Sequence, residues 1–207
     1  MKEQESLNID EDVDAVNRCI KGDVDAFEEI VMRYQKKMFN ISYRMIGDYQ
    51  EAAEAVQDAF MSAYRNIRGF KGESKFSTWL CSIVLNMSRN RLKQMRTRAY
   101  REDCSLDDPV DIEDGRVNIN PPSSDLSVLE RLERHEVGER VRQCIGTLES
   151  GFREVIVLRD IQGFSYDEIS DMLSLAIGTV RSRLHRSRMA VRECLKKFVG
   201  ALQHGMQ

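Results

Sequence analysis

The chain has 207 residues, 42% hydrophobic and 31% charged, with 31 basic against 34 acidic side chains and a formal charge of −3. That is apolar material for one large core or two small ones, and the charged fraction exceeds the ~25% of an average domain, as expected for well-solvated helices. No run of about 18 apolar residues occurs, which excludes a membrane-spanning helix, and the polar, acidic start Met1 to Glu5 predicts no secretory signal.

Helical spacing governs the stretch from about Asp12 to Arg98. Before Gly47, residues Ala26, Phe27, Ile30, Val31, Tyr34, Met38, Ile41, Tyr43 and Met45 form a wide apolar stripe. Gly47-Asp48 interrupts it. A second helix is expected from about Gln50, with Ala52, Val56, Phe60, Ala63, Tyr64 and Ile67 inward and Glu51, Glu54, Gln57, Asp58 and Arg65 outward. Gly69 to Lys75 reads as an exposed loop, and Ser77 or Thr78 as the N-cap of a third helix. That helix has Leu80, Ile83, Val84 and Met87 on its apolar face and Ser82, Asn86, Arg89, Asn90 and Lys93 on the other.

Residues from about Glu102 to Ser127 lack periodicity, are acidic, and contain Asp-Pro, Asp-Gly and Pro-Pro-Ser-Ser, the composition of an extended tether. Helical patterning returns near Leu129. Phe152 to Arg159 predicts a helix ending near Gly163. Ser165 and Glu168 have capping-box spacing and open a short helix, Tyr166 to Leu173. After the connection Ser174 to Gly178, a basic helix begins at Thr179; the sequence is that of a helix-turn-helix. The fold class expected is all-α: two small helical domains, 12–100 and 130–200, joined by an acidic flexible linker, 101–129.

Charge follows this division. From Asn86 to Arg101 the residues Arg89, Arg91, Lys93, Arg96, Arg98 and Arg101 carry no intervening acid, and from Arg181 to Lys197 the basic residues meet only Glu193. Two basic blocks flanking an acidic tether fit a protein that touches a polyanion at two places. On the last helix, Val180, Leu184, Ser187, Val191, Leu195 and Phe198 make a core-facing stripe. Arg181, Ser182, His185 and Arg186 form a separate face suited to base edges and phosphates, with Thr179 near the helix N-terminus for phosphate. The five cysteines are widely spaced with no C-x-x-C pair, so free thiols are expected, with no zinc site and no disulfide framework.

Three stretches, Val56-Gln57-Asp58-Ala59-Phe60, Phe76-Ser77-Thr78-Trp79-Leu80 and Gly178 to Arg186, in this order and spacing, resemble the extracytoplasmic-function (ECF) group of bacterial RNA polymerase sigma factors. The resemblance covers about Val16 to Phe198. It implies an initiation factor without catalytic residues, metal or cofactor, acting in the cytoplasm in a stress or envelope response. Its partners would be core RNA polymerase (the β′ coiled coil and the β subunit), promoter DNA and an anti-sigma factor. It implies that Glu54, Gln57 and Asp58 dock on polymerase, although Ala55 stands where the family often has Leu. It implies that Phe70, Asn86, Arg89 and Lys93 read and open the −10 region, and that Thr179, Arg181, Ser182, His185 and Arg186 read the −35 region. Ile177 stands where many members have Pro or Glu. Trp79, the sole tryptophan, reads first as a core residue or helix anchor that needs no DNA role, whereas Phe70 reads equally as a core residue or a base contact. The acidic linker would thread through polymerase or serve as a plain tether.

Two other classes remain on the residues alone. A helix-turn-helix regulator of duplex DNA explains 150–198 but leaves Gln57-Asp58 and Phe76 to Trp79 without a role. A helical hydrolase built on Glu51, Glu54 and Asp58 has aligned carboxylates, yet no His, Lys or Cys partner in that segment and no phosphate loop.

Overall fold

The computed structural model describes residues 12–103 and 128–204; the expected linker, apart from its ends, falls outside them. The described residues are helical with no strand, in two compact units. The first holds a helix over 12–20 (α1), α2 (Asp25–Ile46), α3 (Tyr49–Asn66) and α4 (Phe76–Asp103). The second holds α5 (Val128–Gly146), α6 (Ser150–Ile156) running into a π-helical turn Val157–Ile161, and α8 (Ile177–His204), with α7 (Tyr166–Leu173) between them in the chain.

Local signals explain the breaks. Gly47 takes the left-handed φ of 90° that closes α2, donating its N–H to the Tyr43 carbonyl at 2.8 Å. Asp48 then caps α3 by accepting from the Glu51 amide at 2.8 Å. Helices α2, α3 and α4 pack on one another, burying Ile30, Met38 and Ile41 of α2, Val56, Ala59 and Phe60 of α3, and Leu80, Val84 and Leu85 of α4. Within this core the Ser88 hydroxyl lies 3.0 Å from Ser42 Oγ, which in turn donates to the Ala52 carbonyl at 3.3 Å. The two buried serine hydroxyls are thereby satisfied inside an apolar core. The Tyr34 hydroxyl donates to buried Asp12, which also pairs with Arg33 at 2.6 Å, tying α1 to α2.

Two sequence expectations are corrected here. Helix α4 begins at Phe76, so neither Ser77 nor Thr78 is its N-cap; the Lys75 carbonyl accepts from the Thr78 and Trp79 amides at 3.0 and 3.1 Å. The reason is packing: Phe76 is buried and its ring meets Tyr34 at 6.1 Å, which draws the start of the helix into the core. The expectation that the cysteines are all free thiols also fails. Cys144 of α5 and Cys194 of α8 form a disulfide across a separation of 50 residues, with Cα atoms 5.8 Å apart. No local spacing announces the pair; the packing of α5 on α8 brings the two positions together. Cys19 and Cys81 are free and buried, and Cys104 lies outside the described residues.

In the second unit, Val155, Ile156 and Leu158 pack with Val180, Leu184 and Val191 of α8, so the predicted apolar stripe of that helix does face a core. Buried Ser187 fits there because its hydroxyl lies 2.9 Å from the Phe152 carbonyl and 2.7 Å from that of Arg183. Buried Arg153 donates to the carbonyls of Gly146 and Leu148, the latter at 3.0 Å, capping the end of α5.

Candidate nucleic-acid interfaces and docking surface

The helix-turn-helix is built from a reciprocal cap. The Glu168 amide donates to Ser165 Oγ at 3.1 Å, and the Ser165 amide donates to the Glu168 carboxylate at 2.8 Å, as the sequence spacing predicts. Ser174, with φ of 52°, turns the chain after α7, and Ser170 and Leu175 exchange hydrogen bonds that fix the turn. Helix α8 starts at Ile177, two residues before the expected Thr179, so Gly178 is helical. Arg181, Ser182, His185 and Arg186 are all exposed on one face of α8, and Thr179 is half-buried at its first turn. Within that face, the Ser182 hydroxyl donates to the Thr179 carbonyl at 3.0 Å. The Arg181 guanidinium lies 5.6 Å from the centre of the Tyr166 ring, which Arg159 also covers at 4.8 Å. This ring pre-positions Arg181 on the exposed side. Sequence reasoning missed Tyr166, since nothing in local spacing links it to a residue one helix later.

On α4, Trp79, Ser82, Asn86, Arg89 and Lys93 recur at three- and four-residue steps and line one side. Asn86 and Lys93 are exposed; Arg89 is half-buried and donates to Asn86 Oδ1 at 3.0 Å. Phe70 is half-buried at the head of this stripe, its ring 5.3 Å from that of Trp79 and 5.5 Å from that of Phe76. Phe70, Asn86, Arg89 and Lys93, the residues expected at the −10 region, thus share one side of the first unit, with an aromatic platform at one end and cations toward the other. Trp79 belongs to that platform.

The acidic face of α3 divides. Glu54 pairs with Arg91 of α4, and Arg91 also meets Glu51 at 3.0 Å. Arg91, counted with the basic block of α4 in the sequence, is therefore turned back onto α3. Gln57 and Asp58 are exposed and have no hydrogen-bond or ion-pair partner among the described residues. Gln57 borders an open apolar groove of about 910 Å³ between α2 and α3, lined by Phe27, Val31, Met32, Tyr49, Met61 and Tyr64. Tyr64, expected inward, is 43% exposed and Met32 67% exposed. The stripe on α2 is too wide for α3 and α4 to cover, and its excess width forms this groove. Among the described residues no His, Cys, Asp and Glu cluster could hold a metal ion, and no helix is long and apolar enough to cross a membrane.

Comparison with known proteins joins these features. Residues 30–98 match the family description Sigma-70 region 2, and residues 138–191 match Sigma-70, region 4. The chain is 33% identical to the RNA polymerase sigma-H factor of Pseudomonas aeruginosa over 193 residues, covering 93% of this chain and 98% of that protein. It is an ECF-group RNA polymerase sigma factor. A second relative, the ECF RNA polymerase sigma factor SigW of Bacillus subtilis, is 36% identical over 87% of this chain and 95% of its own. Among solved structures, the sigma factor RpoE of Bartonella quintana, in complex with the anti-sigma factor NepR, matches with a TM-score of 0.62 at 27% identity, over 84% of this chain and 98% of that one. A sigma factor is a transcription initiation factor and not an enzyme, so the carboxylates of α3 are not a hydrolytic centre. The stand-alone helix-turn-helix regulator is overturned too, because the region 2 match accounts for the first unit of this sigma factor.

Proposed function

We propose that this sigma factor binds core RNA polymerase through α3, directs it to promoters through −35 contacts from α8 and −10 contacts from α4, and promotes melting of the −10 segment. The observation that carries this reading is the pair of basic, exposed helix faces on separate units of one chain. Arg181, Ser182, His185 and Arg186 suit the major groove, where arginine grips guanine edges and hydroxyl or imidazole groups reach bases or phosphates. The α4 stripe suits a single strand: a base taken out of the stack, at a cost of a few kcal/mol, stacks beside Phe70 and Trp79 while Asn86 meets its edge. Arg89 and Lys93 hold the phosphates. The units assigned to these tasks are 12–100 and 130–200, joined by 101–129.

For polymerase docking, Gln57 and Asp58 are the polar contacts and the neighbouring groove supplies apolar area; Glu54 contributes less because Arg91 already occupies it. The complex of the Bartonella quintana relative with NepR supports an anti-sigma factor as a further partner, and the work proposed places the protein in the cytoplasm. Purified protein added to bacterial core polymerase should yield a defined transcript start on selected templates, and Asp58→Arg should abolish co-elution with core polymerase while leaving the melting temperature unchanged. Absence of any defined start from a promoter library overturns the reading.

A further inference from the structure

We propose that Cys144 and Cys194 form a reversible thiol–disulfide site through which oxidants tighten the promoter-reading unit and raise its affinity for promoter DNA. The inference rests on the initiation reading above. The bond joins the buried end of α5 to the C-terminal half of α8, and the loop it closes contains α6, α7 and every residue of the α8 recognition face. The first half of α8 is held without it, by buried Val180 and Leu184. Beyond Val191 the hold weakens: Leu195 and Phe198 are only half-buried, and Arg140 covers the Phe198 ring at 5.6 Å. The disulfide lies in this weaker half, where a covalent tie changes most.

The cysteines also differ in access. Cys144 is fully buried and Cys194 half-buried, so Cys194 is the sulfur an oxidant reaches and Cys144 the one that resolves. With a peroxide as oxidant, the Cys194 thiolate attacks one peroxide oxygen, giving a sulfenic acid and one water. The Cys144 thiolate then attacks that sulfur, forming the S–S bond and releasing a second water. Two thiols lose two electrons and two protons, and the peroxide is reduced to two waters. A dithiol returns the pair to the reduced state by exchange.

The test uses the full chain with Cys104→Ser, reduced with dithiothreitol or oxidised with hydrogen peroxide, then assembled with core polymerase. Intact mass should fall by about two hydrogens on oxidation. Holoenzyme affinity for a full promoter should rise roughly five-fold or more, a typical coupling between linked sites. Amide exchange in α5 and the C-terminal half of α8 should slow. Cys194→Ser, at the half-buried position, should hold affinity at the reduced value whatever the oxidant. Failure of peroxide to change the mass, or equal promoter affinity in the two states, overturns the proposal. Absence of promoter-specific binding in both states instead overturns the initiation reading.

Discussion

Arg186 and Cys81 show how differently single residues depend on their surroundings. Arg186 is exposed on the α8 face and free to meet a base edge, so Arg186→Ala should weaken promoter binding by about 1–3 kcal/mol and relax discrimination at one −35 position. Holoenzyme binding to a set of single-base promoter variants checks this; uniform weakening across all variants would mark a phosphate contact instead. Cys81 is fully buried in the first core, and desolvation of its thiolate pushes the thiol up to about 12. At pH 8 only about one part in ten thousand is thiolate, so native Cys81 should resist iodoacetamide until the first unit unfolds, as peptide mapping would reveal. The exposed face of Arg186 was legible from helical period; the burial of Cys81, which neither expected face of its helix includes, was not. Partners were not: that Arg91 folds back onto Glu51 and Glu54, or that Tyr166 sits under Arg181, depends on which helices become neighbours.

At the scale of elements, the Ser165–Glu168 cap and the α8 stripe as far as Val191 do what their spacing suggests, and their energetic weight follows burial. Leu184 is 1% exposed at the centre of the α8 stripe, so Leu184→Ala should cost the second unit about 2–5 kcal/mol. Removing the reciprocal cap with Glu168→Ala should cost about 1 kcal/mol, because the Ser165 amide at the half-buried start of α7 loses its carboxylate acceptor. Denaturant titration should rank the two variants in that order; equal losses would contradict the packing described. The start of α4 went the other way. Ser77 and Thr78 have capping chemistry, yet burial of Phe76 against Tyr34 places both inside the helix. Where an aromatic anchor and a hydroxyl cap compete, the larger buried area prevails.

On the scale of the whole chain, the two basic faces lie on different units. Lys93→Ala and Arg186→Ala should therefore weaken promoter binding additively, within about 0.5 kcal/mol, and each should reduce the salt dependence if it meets a phosphate. A double-mutant cycle on the holoenzyme at two salt concentrations measures both quantities. A large coupling energy would mean that the faces bind one contiguous stretch of DNA. The disulfide belongs to this scale as well: closing a loop of 50 residues removes enough freedom from the unfolded chain to add about 4 kcal/mol on the loop-entropy account.

Helical class, the division into two cores, the capped helix-turn-helix and the sign of each exposed face follow from short-range rules, since periodicity, caps and charge runs act within a few residues along the chain. The Cys144–Cys194 bond, the Arg91 ion pairs and the open groove beside Gln57 arise from contacts between segments tens of residues apart, and the Tyr166 clamp from contacts across the turns on either side of it. Nothing in local order encodes which helix sides will meet; that emerges once the apolar stripes have chosen their neighbours, and a stripe wider than its neighbours can cover leaves a groove.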